Sequence, residues 1–156
     1  MRAMNVSVVG GERPARPVRL VGEVMSTPVE TVDASAGLGR VLSRFTVTGL
    51  RHLAVLSTRG ACLGVLSDRV VRAAWSAERP GTSRLRAGDI VVADHPAAHL
   101  EDTVASAART MLEHGVDALP VLGPEGRVLG VVTGSDLARL LVSVLEDPEL
   151  PMAPLR

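Results

Sequence analysis

The residues best placed to do chemistry are Thr133, Gly134, Ser135 and Asp136, where the apolar run Val128 to Val132 gives way to a helical pattern. Backbone N–H groups at a helix start have no partner within the helix and favour an anion. Gly134 would let a ligand approach the backbone closely. The Asp136 carboxylate can accept hydrogen bonds from two vicinal hydroxyls, as acidic residues do with ribose in other nucleotide folds. The same Thr-x-x-Asp spacing is also a cap, in which the two side chains merely satisfy the helix terminus. Taken alone, the four residues favour the cap. Arg51 and His52 are a second candidate pair. An arginine fork can clamp a phosphate; the plain alternative is an exposed arginine beside a partly buried histidine.

Other reactive side chains carry less. Cys62 lies in an expected buried strand, far in sequence from any base, and reads as a small core residue. His95 and His99 are four apart, but Pro96 breaks a helix between them, and a zinc site needs further ligands. His114 sits at a helix end, where it suits the helix dipole. No Ser-His-Asp arrangement, paired-carboxylate motif or glycine-rich phosphate loop is visible, which argues against an enzyme. All 17 basic residues are arginine, so a Walker-type phosphate loop, a Schiff base and a lysine base are excluded. The 17 acidic residues balance them, and Phe45 and Trp75 are the only aromatics. Neither the charge nor the stacking platforms of a nucleic-acid binder are present.

These residues must be positioned by elements, and the elements occur twice. Sliding the sequence by 66 positions matches Gly22 to Gly88, Gly49 to Gly115, Leu53 to Leu119 and Val55-Leu56 to Val121-Leu122. It also matches Gly60 to Gly126 and Leu63-Gly64-Val65 to Leu129-Gly130-Val131. The matches are turn glycines and strand aliphatics, so two copies of one supersecondary unit are expected, with clefts between them. The expected organisation is a flexible arm over 1–17, a first unit over 18–78, a linker over 79–84, a second unit over 85–146 and a tail over 147–156.

In the first unit, Val29 to Val32 alternates as a strand, and Asp33 or Ser35 can cap a helix carrying Leu38, Val41, Leu42 and Phe45. Gly49 ends that helix. Strands His52–Leu56 and Cys62–Leu66 flank the turn Ser57-Thr58-Arg59-Gly60, and a helix follows from Ser67 through Val71 and Trp75. The second unit repeats this. A short helix covers Leu85 to Val91 and an extended piece surrounds Pro96. A helix runs from Glu101 to His114 with Val104, Ala108, Met111 and Leu112 on one face. Strands Leu119–Leu122 and Val128–Val132 flank Gly123-Pro124-Glu125-Gly126, and a last helix spans Gly134 to Glu146. Hydrophobic residues make up 46% of the chain, enough for a folded core. No apolar run approaches the ~20 residues of a membrane span. The single cysteine and the absence of an apolar leader pattern fit a reducing cytoplasm.

The ordered set VGEVMSTPVETV, TGLRHLAVL and CLGVLSDRVV, answered by AGDIVVADHPAAHL, HGVDALPVL and VLGVVTGSDL, resembles the tandem cystathionine-β-synthase (CBS) domain pair, or Bateman module. The likeness covers about Val18 to Leu145. It implies an α/β (α+β) fold of two β-α-β-β-α repeats about a pseudo-two-fold axis. It also implies a regulatory module, not a catalyst, that binds AMP, ADP, ATP or S-adenosylmethionine between the repeats. By that resemblance Thr133 and Asp136 hold ribose, with Ser135 and Gly134 beside them. Thr27, Pro28 and Val29 line the adenine, and Arg51 and His52 stand where phosphates lie. The repeat context turns the balance at Thr133–Asp136 toward a ligand.

The first copy departs from the pattern: Ser67 matches Thr133, but Val70 takes the place of Asp136. Valine accepts no hydroxyl, so the mirror cleft, with Ser67 and Val70 facing Asp94 to Ala97, should bind adenosine ligands weakly or not at all. With Asp117 and Ala118 at the positions of Arg51 and His52, cations are few, which points to AMP, ADP or S-adenosylmethionine rather than a triphosphate. The resemblance further implies a homodimer forming a disc-like assembly, and a regulated partner protein. The rival reading is a ligand-free dimerisation scaffold with vestigial clefts. On the sensor reading, Asp136→Ala should abolish binding without unfolding the protein.

Overall fold

The computed structural model describes residues 19–78 and 84–146. The expected arm over 1–17, the linker up to residue 83 and the tail over 147–156 lie outside these residues. In chain order the first repeat contains α1 (Val21–Val24), β1 (Thr31–Asp33), α2 (Leu38–Thr48), β2 (His52–Leu56), β3 (Cys62–Ser67) and α3 (Asp68–Ala77). The second contains α4 (Ala87–Ile90), α5 (Val104–His114), β4 (Ala118–Leu122), β5 (Val128–Thr133) and α6 (Gly134–Glu146).

Strand β2 pairs parallel with β1 and antiparallel with β3, a three-stranded sheet in the order β1-β2-β3. The second repeat has β4 antiparallel to β5 in the equivalent register: Ala118 opposes Thr133 as His52 opposes Ser67. Its counterpart of β1 is reduced to one parallel bridge, Ala98 to Val121. Pro120 stands where the first repeat has Ala54, whose N–H donates to the Glu30 carbonyl at 3.0 Å, and proline has no N–H to repeat that bond. Two bonds remain, Ala98 N–H to the Pro120 carbonyl at 2.9 Å and Leu122 N–H to the Ala98 carbonyl at 2.8 Å.

Each repeat has its own apolar core. In the first, Leu38, Val41 and Phe45 of α2 pack on Leu53, Val55 and Leu66 of the sheet and on Val71 of α3. In the second, Ala107 and Met111 of α5 pack on Leu119, Val121 and Val132. Leu53 and Leu119 are fully buried, each contributing about 1.5–3 kcal/mol relative to exposure.

The short lead-in helices are exchanged. Val21 of α1 is buried in the second core, and Ala87 of α4 in the first. Backbone bonds fix both crossings in matching pairs. Val21 and Gly22 donate to the Asp102 and Leu100 carbonyls, and Ala87 and Gly88 to those of Ala36 and Ala34. Every pair is related by the 66-residue offset, so the sequence repeat is a two-fold pattern of hydrogen bonds.

Several expectations need correction. Neither Asp33 nor Ser35 caps α2: its N-cap is Gly37, without a side-chain bond. The lead-in of the other repeat serves that end instead, Leu38 N–H donating to the Leu85 carbonyl at 3.3 Å. Helix α5 starts at Val104, not Glu101, because the Thr103 hydroxyl caps it by accepting from Ser106 N–H at 3.0 Å. The buried stripe of α5 is Ala107 and Met111, and Leu112 is 84% exposed. β1 begins at Thr31, two residues later than the alternation suggests. Gly49 and Gly115 do end α2 and α5 in the left-handed conformation, as glycine permits.

Candidate functional site

Strand β5 and the N-terminus of α6 form one wall of a cleft, and the lead-in strand of the first repeat forms the other. Ser26 bridges Val131 through two backbone bonds, Ser26 N–H to Val131 carbonyl at 2.9 Å and Val131 N–H to Ser26 carbonyl at 3.1 Å. A side chain at Gly130 would prevent this, since a Cβ there would lie 2.8 Å from Met25 Sδ and 2.9 Å from the Ser26 carbonyl. The cleft beside this crossing has a volume of about 220 Å³. Pro28, Val29, Thr133, Ser135 and Asp136 line it, and Arg51 and His52 close another side.

Asp136 is 7% exposed and Thr133 9%. Asp136 Oδ2 accepts from both Thr133 N–H and Thr133 Oγ1–H at 2.8 Å, while Thr133 Oγ1 accepts from Asp136 N–H at 3.3 Å. The reciprocal cap is therefore present in full. Asp136 Oδ1 accepts from Arg139 Nη1 at 2.8 Å. The carboxylate reaches the cleft with one oxygen committed to the cap and the other to an arginine.

Two of the candidate residues stand elsewhere. Thr27 is not on the cleft wall; its Cγ2 lies 3.2 Å from the position a Gly130 Cβ would take. Gly134 is not on it either, and its N–H is used: it donates to the Asp117 carbonyl at 2.9 Å. With the Asp136 N–H also taken, the first turn of α6 offers an anion less than a bare helix terminus would. Nothing but that carbonyl, 3.8 Å away, crowds a Cβ at Gly134.

Other residues, not singled out from the sequence, complete the site. Ser26, Glu30, Leu50, Val131 and Arg139 also line the cleft. Arg139 was legible: it lies three residues after Asp136 on a helix, and such residues share a face. Glu30 is ion-paired with Arg44. His52 Nε2 lies 3.3 Å from Asp117 Oδ1 across the repeats, so the acidic residue matching Arg51 partners the histidine.

The mirror cleft exists and is larger, about 320 Å³. Ser67, Arg69, Val70, Val92, His95 and Val116 are on its walls, and Asp94, Pro96 and Ala97 are not. Ser67 Oγ caps α3 by accepting from Val70 N–H at 3.3 Å, but no carboxylate answers it there. Burial holds the His95 imidazole below the ordinary value of 6.5, against a Pro96 carbonyl contact at 2.8 Å that favours the charged form. Burial likewise pushes the Cys62 thiol up, away from a reactive thiolate. Among the described residues no cluster of three or more potential metal ligands occurs, and no helix is long and apolar enough to cross a membrane.

Fold and cleft together define a class: a tandem-repeat module whose lead-in segments are exchanged and whose clefts lie where one repeat meets the other. The CBS domain family model matches residues 21–76 and 87–143, and the chain belongs to that family. It is 31% identical over 137 residues to a CBS domain-containing protein of Dictyostelium discoideum, covering 81% of this chain and 94% of that one. It spans about a quarter of the length of the archaeal enzymes among its curated relatives. Among solved structures, the CBS domain pair of protein MJ0100 in complex with 5′-methylthioadenosine and S-adenosyl-L-methionine superposes with a TM-score of 0.72. That likeness covers 81% of this chain and 98% of that one at 21% identity. CBSX2 in complex with AMP gives a TM-score of 0.67 at 21% identity, covering 82% and 99%.

Proposed function

We propose that the chain is a regulatory module that binds an adenosine-containing ligand in the cleft lined by Thr133, Ser135 and Asp136. The observation that carries this reading is a buried carboxylate opening onto an inter-repeat cleft whose opposite wall, Pro28 and Val29, is apolar. The carboxylate suits a diol and the apolar wall suits a flat base. The cleft is small beside the ~300–1,000 Å³ of drug-sized sites, so base and sugar fill it and the rest of the ligand projects past Arg51. The ligands of the CBS pairs of MJ0100 and CBSX2, all adenosine derivatives, support the same class.

Binding would act by population shift. Pro28 and Val29 belong to the first repeat and Thr133 and Asp136 to the second, so one ligand touches both and favours the arrangement that it fits. Most of the exposed large apolar side chains lie on the long helices, with Val47 of α2 at 80% and Leu112 of α5 at 84% exposure. They support a homodimer through these helices, whose packing a partner protein would read. Sedimentation of the chain with and without ligand tests that part.

One observation favours the ligand-free scaffold instead: both Asp136 oxygens already have partners within the chain. Calorimetric titration with adenosine, AMP, ATP and S-adenosylmethionine separates the readings. The sensor reading expects a saturable heat with AMP or S-adenosylmethionine. No heat and no thermal shift at millimolar ligand would leave the scaffold.

A further inference from the structure

We propose that Arg139 is a latch on this cleft, and that it sets the preference for a 5′-phosphorylated nucleoside. A ribose diol displaces its guanidinium from Asp136, and the freed guanidinium then takes the ligand's phosphate. The inference rests on the adenosine reading above and narrows it from any adenosine derivative to a nucleotide.

The oxygens of Asp136 are not equivalent. Oδ2 is held by the Thr133 N–H and hydroxyl, both at 2.8 Å, and cannot leave without uncapping α6. Oδ1 has one partner among the described residues, Arg139 Nη1 at 2.8 Å. Oδ2 already accepts two bonds, so both hydroxyls of a diol need the two acceptor positions of Oδ1, one of which Arg139 fills. The latch is cheap to open. The Arg139 side chain is 76% exposed against 6% for that of Asp136, and an arginine so exposed gives little to an ion pair.

The guanidinium has somewhere to go. Arg139 lines the cleft together with Arg51. It also lines an adjoining hollow with Val24, Ser26, Asp136 and Leu140. With Ser26 and Asp136 it borders both spaces, and it is anchored one helical turn from the residue that would grip the sugar. Arg51 joins in no ion pair among the described residues, and Glu30 is neutralised by Arg44. Once the diol holds Asp136, two arginines face the part of the ligand that projects, and paired guanidinium groups match phosphate geometry. A sulfonium cation in that place would meet like charge. The mirror cleft has Val70 and Ala73 at the positions of Asp136 and Arg139, so grip and latch are absent there together.

The test is titration of the full chain and of Arg139→Ala and Arg139→Lys with adenosine, AMP and S-adenosylmethionine, alongside thermal melting. The latch expects wild type to bind AMP more tightly than adenosine. In Arg139→Ala, AMP should weaken about tenfold to a hundredfold, the range of a charged hydrogen bond. Adenosine should bind that variant as well or better, and its melting temperature should stay near that of wild type. Arg139→Lys keeps the charge without the planar fork and should fall between them. If Arg139→Ala weakens both ligands alike, or neither, the latch is overturned while the adenosine reading stands. If wild type binds neither ligand at millimolar concentration, the adenosine reading falls and the latch with it.

Discussion

Replacing Asp136 by alanine removes a cap and a binding group together, and the structure sets the size of the first loss. Thr133 N–H and Oγ1–H each lose an acceptor at 2.8 Å, at a position where Thr133 is 9% exposed. The hydroxyl can turn to another acceptor; the backbone N–H cannot. A buried donor left without a partner costs about 1–3 kcal/mol. The Arg139 pair adds little, because that side chain is 76% exposed and surface pairs are worth ~0–1 kcal/mol. For a chain of this size each kcal/mol moves the melting temperature by about 2–4 °C, so Asp136→Ala should melt roughly 2–12 °C lower. The variant should therefore still fold, with a lowered melting temperature. Asp136→Asn keeps an oxygen for Thr133 N–H and should recover most of that loss, while its grip on a diol stays weakened. Scanning calorimetry with and without millimolar AMP reads both effects, since a ligand that binds only the folded state raises the melting temperature. An Asp136→Ala melt within 1 °C of wild type would refute the cap, and an undiminished AMP shift in both variants would refute the grip.

The remaining predictions address the walls and the mirror cleft. Gly130→Ala places a Cβ 2.8 Å from Met25 Sδ and 2.9 Å from the Ser26 carbonyl. It should cost about 1–3 kcal/mol of strain in a urea melt and weaken AMP, because the lead-in must lift from β5. Val70→Asp puts a carboxylate at the position that mirrors Asp136, where Ser67 already caps α3; AMP titration should rise from one site per chain towards two. His95 titrates below the ordinary 6.5 when folded, so as pH falls the unfolded chain takes its proton first. Stability should then drop from about 6.5 downwards and level off below the folded value. His95→Gln should flatten that stretch of the stability–pH curve, and identical slopes in the two proteins would count against it.

Where the sequence could be read and where it could not follows from how local each signal was. Strand β2 was legible to the residue, His52–Leu56, because Gly49 before it and the Ser57–Gly60 turn after it are local punctuation. Helix α6 was equally plain. Among the failures are cases in which a distant segment supplied what a local one was expected to supply. The start of α2 is served by Leu85 from the other repeat, so neither Asp33 nor Ser35 is needed. On α5 the core-facing residues are Ala107 and Met111, in a core that Val21 of α1 also enters, and Leu112 lies outside it. At the site, the string Thr133 to Asp136 announced a cap and a carboxylate, and both are there. It could not announce that the Gly134 N–H belongs to Asp117, since that bond depends on tertiary approach.

The exchange of lead-ins also bears on why duplication suits a sensor. Each repeat's core is completed by the other's first helix, and each cleft takes one wall from each repeat. Symmetry supplied two clefts at once, and drift could then change them separately. Asp136 of the second copy stands where the first copy has Val70, and Ser135 and Arg139 correspond to Arg69 and Ala73 by the same offset. Both clefts keep the helix cap, through Thr133 in one and Ser67 in the other. The cap is what folding requires, and so it persists in both. A carboxylate is not required for such a helix to form, because Ser67 caps α3 without one. At α6 the acid adds an acceptor for the Thr133 N–H through Oδ2, while Oδ1 takes no part in that cap and is the oxygen left for a partner beyond the helix terminus.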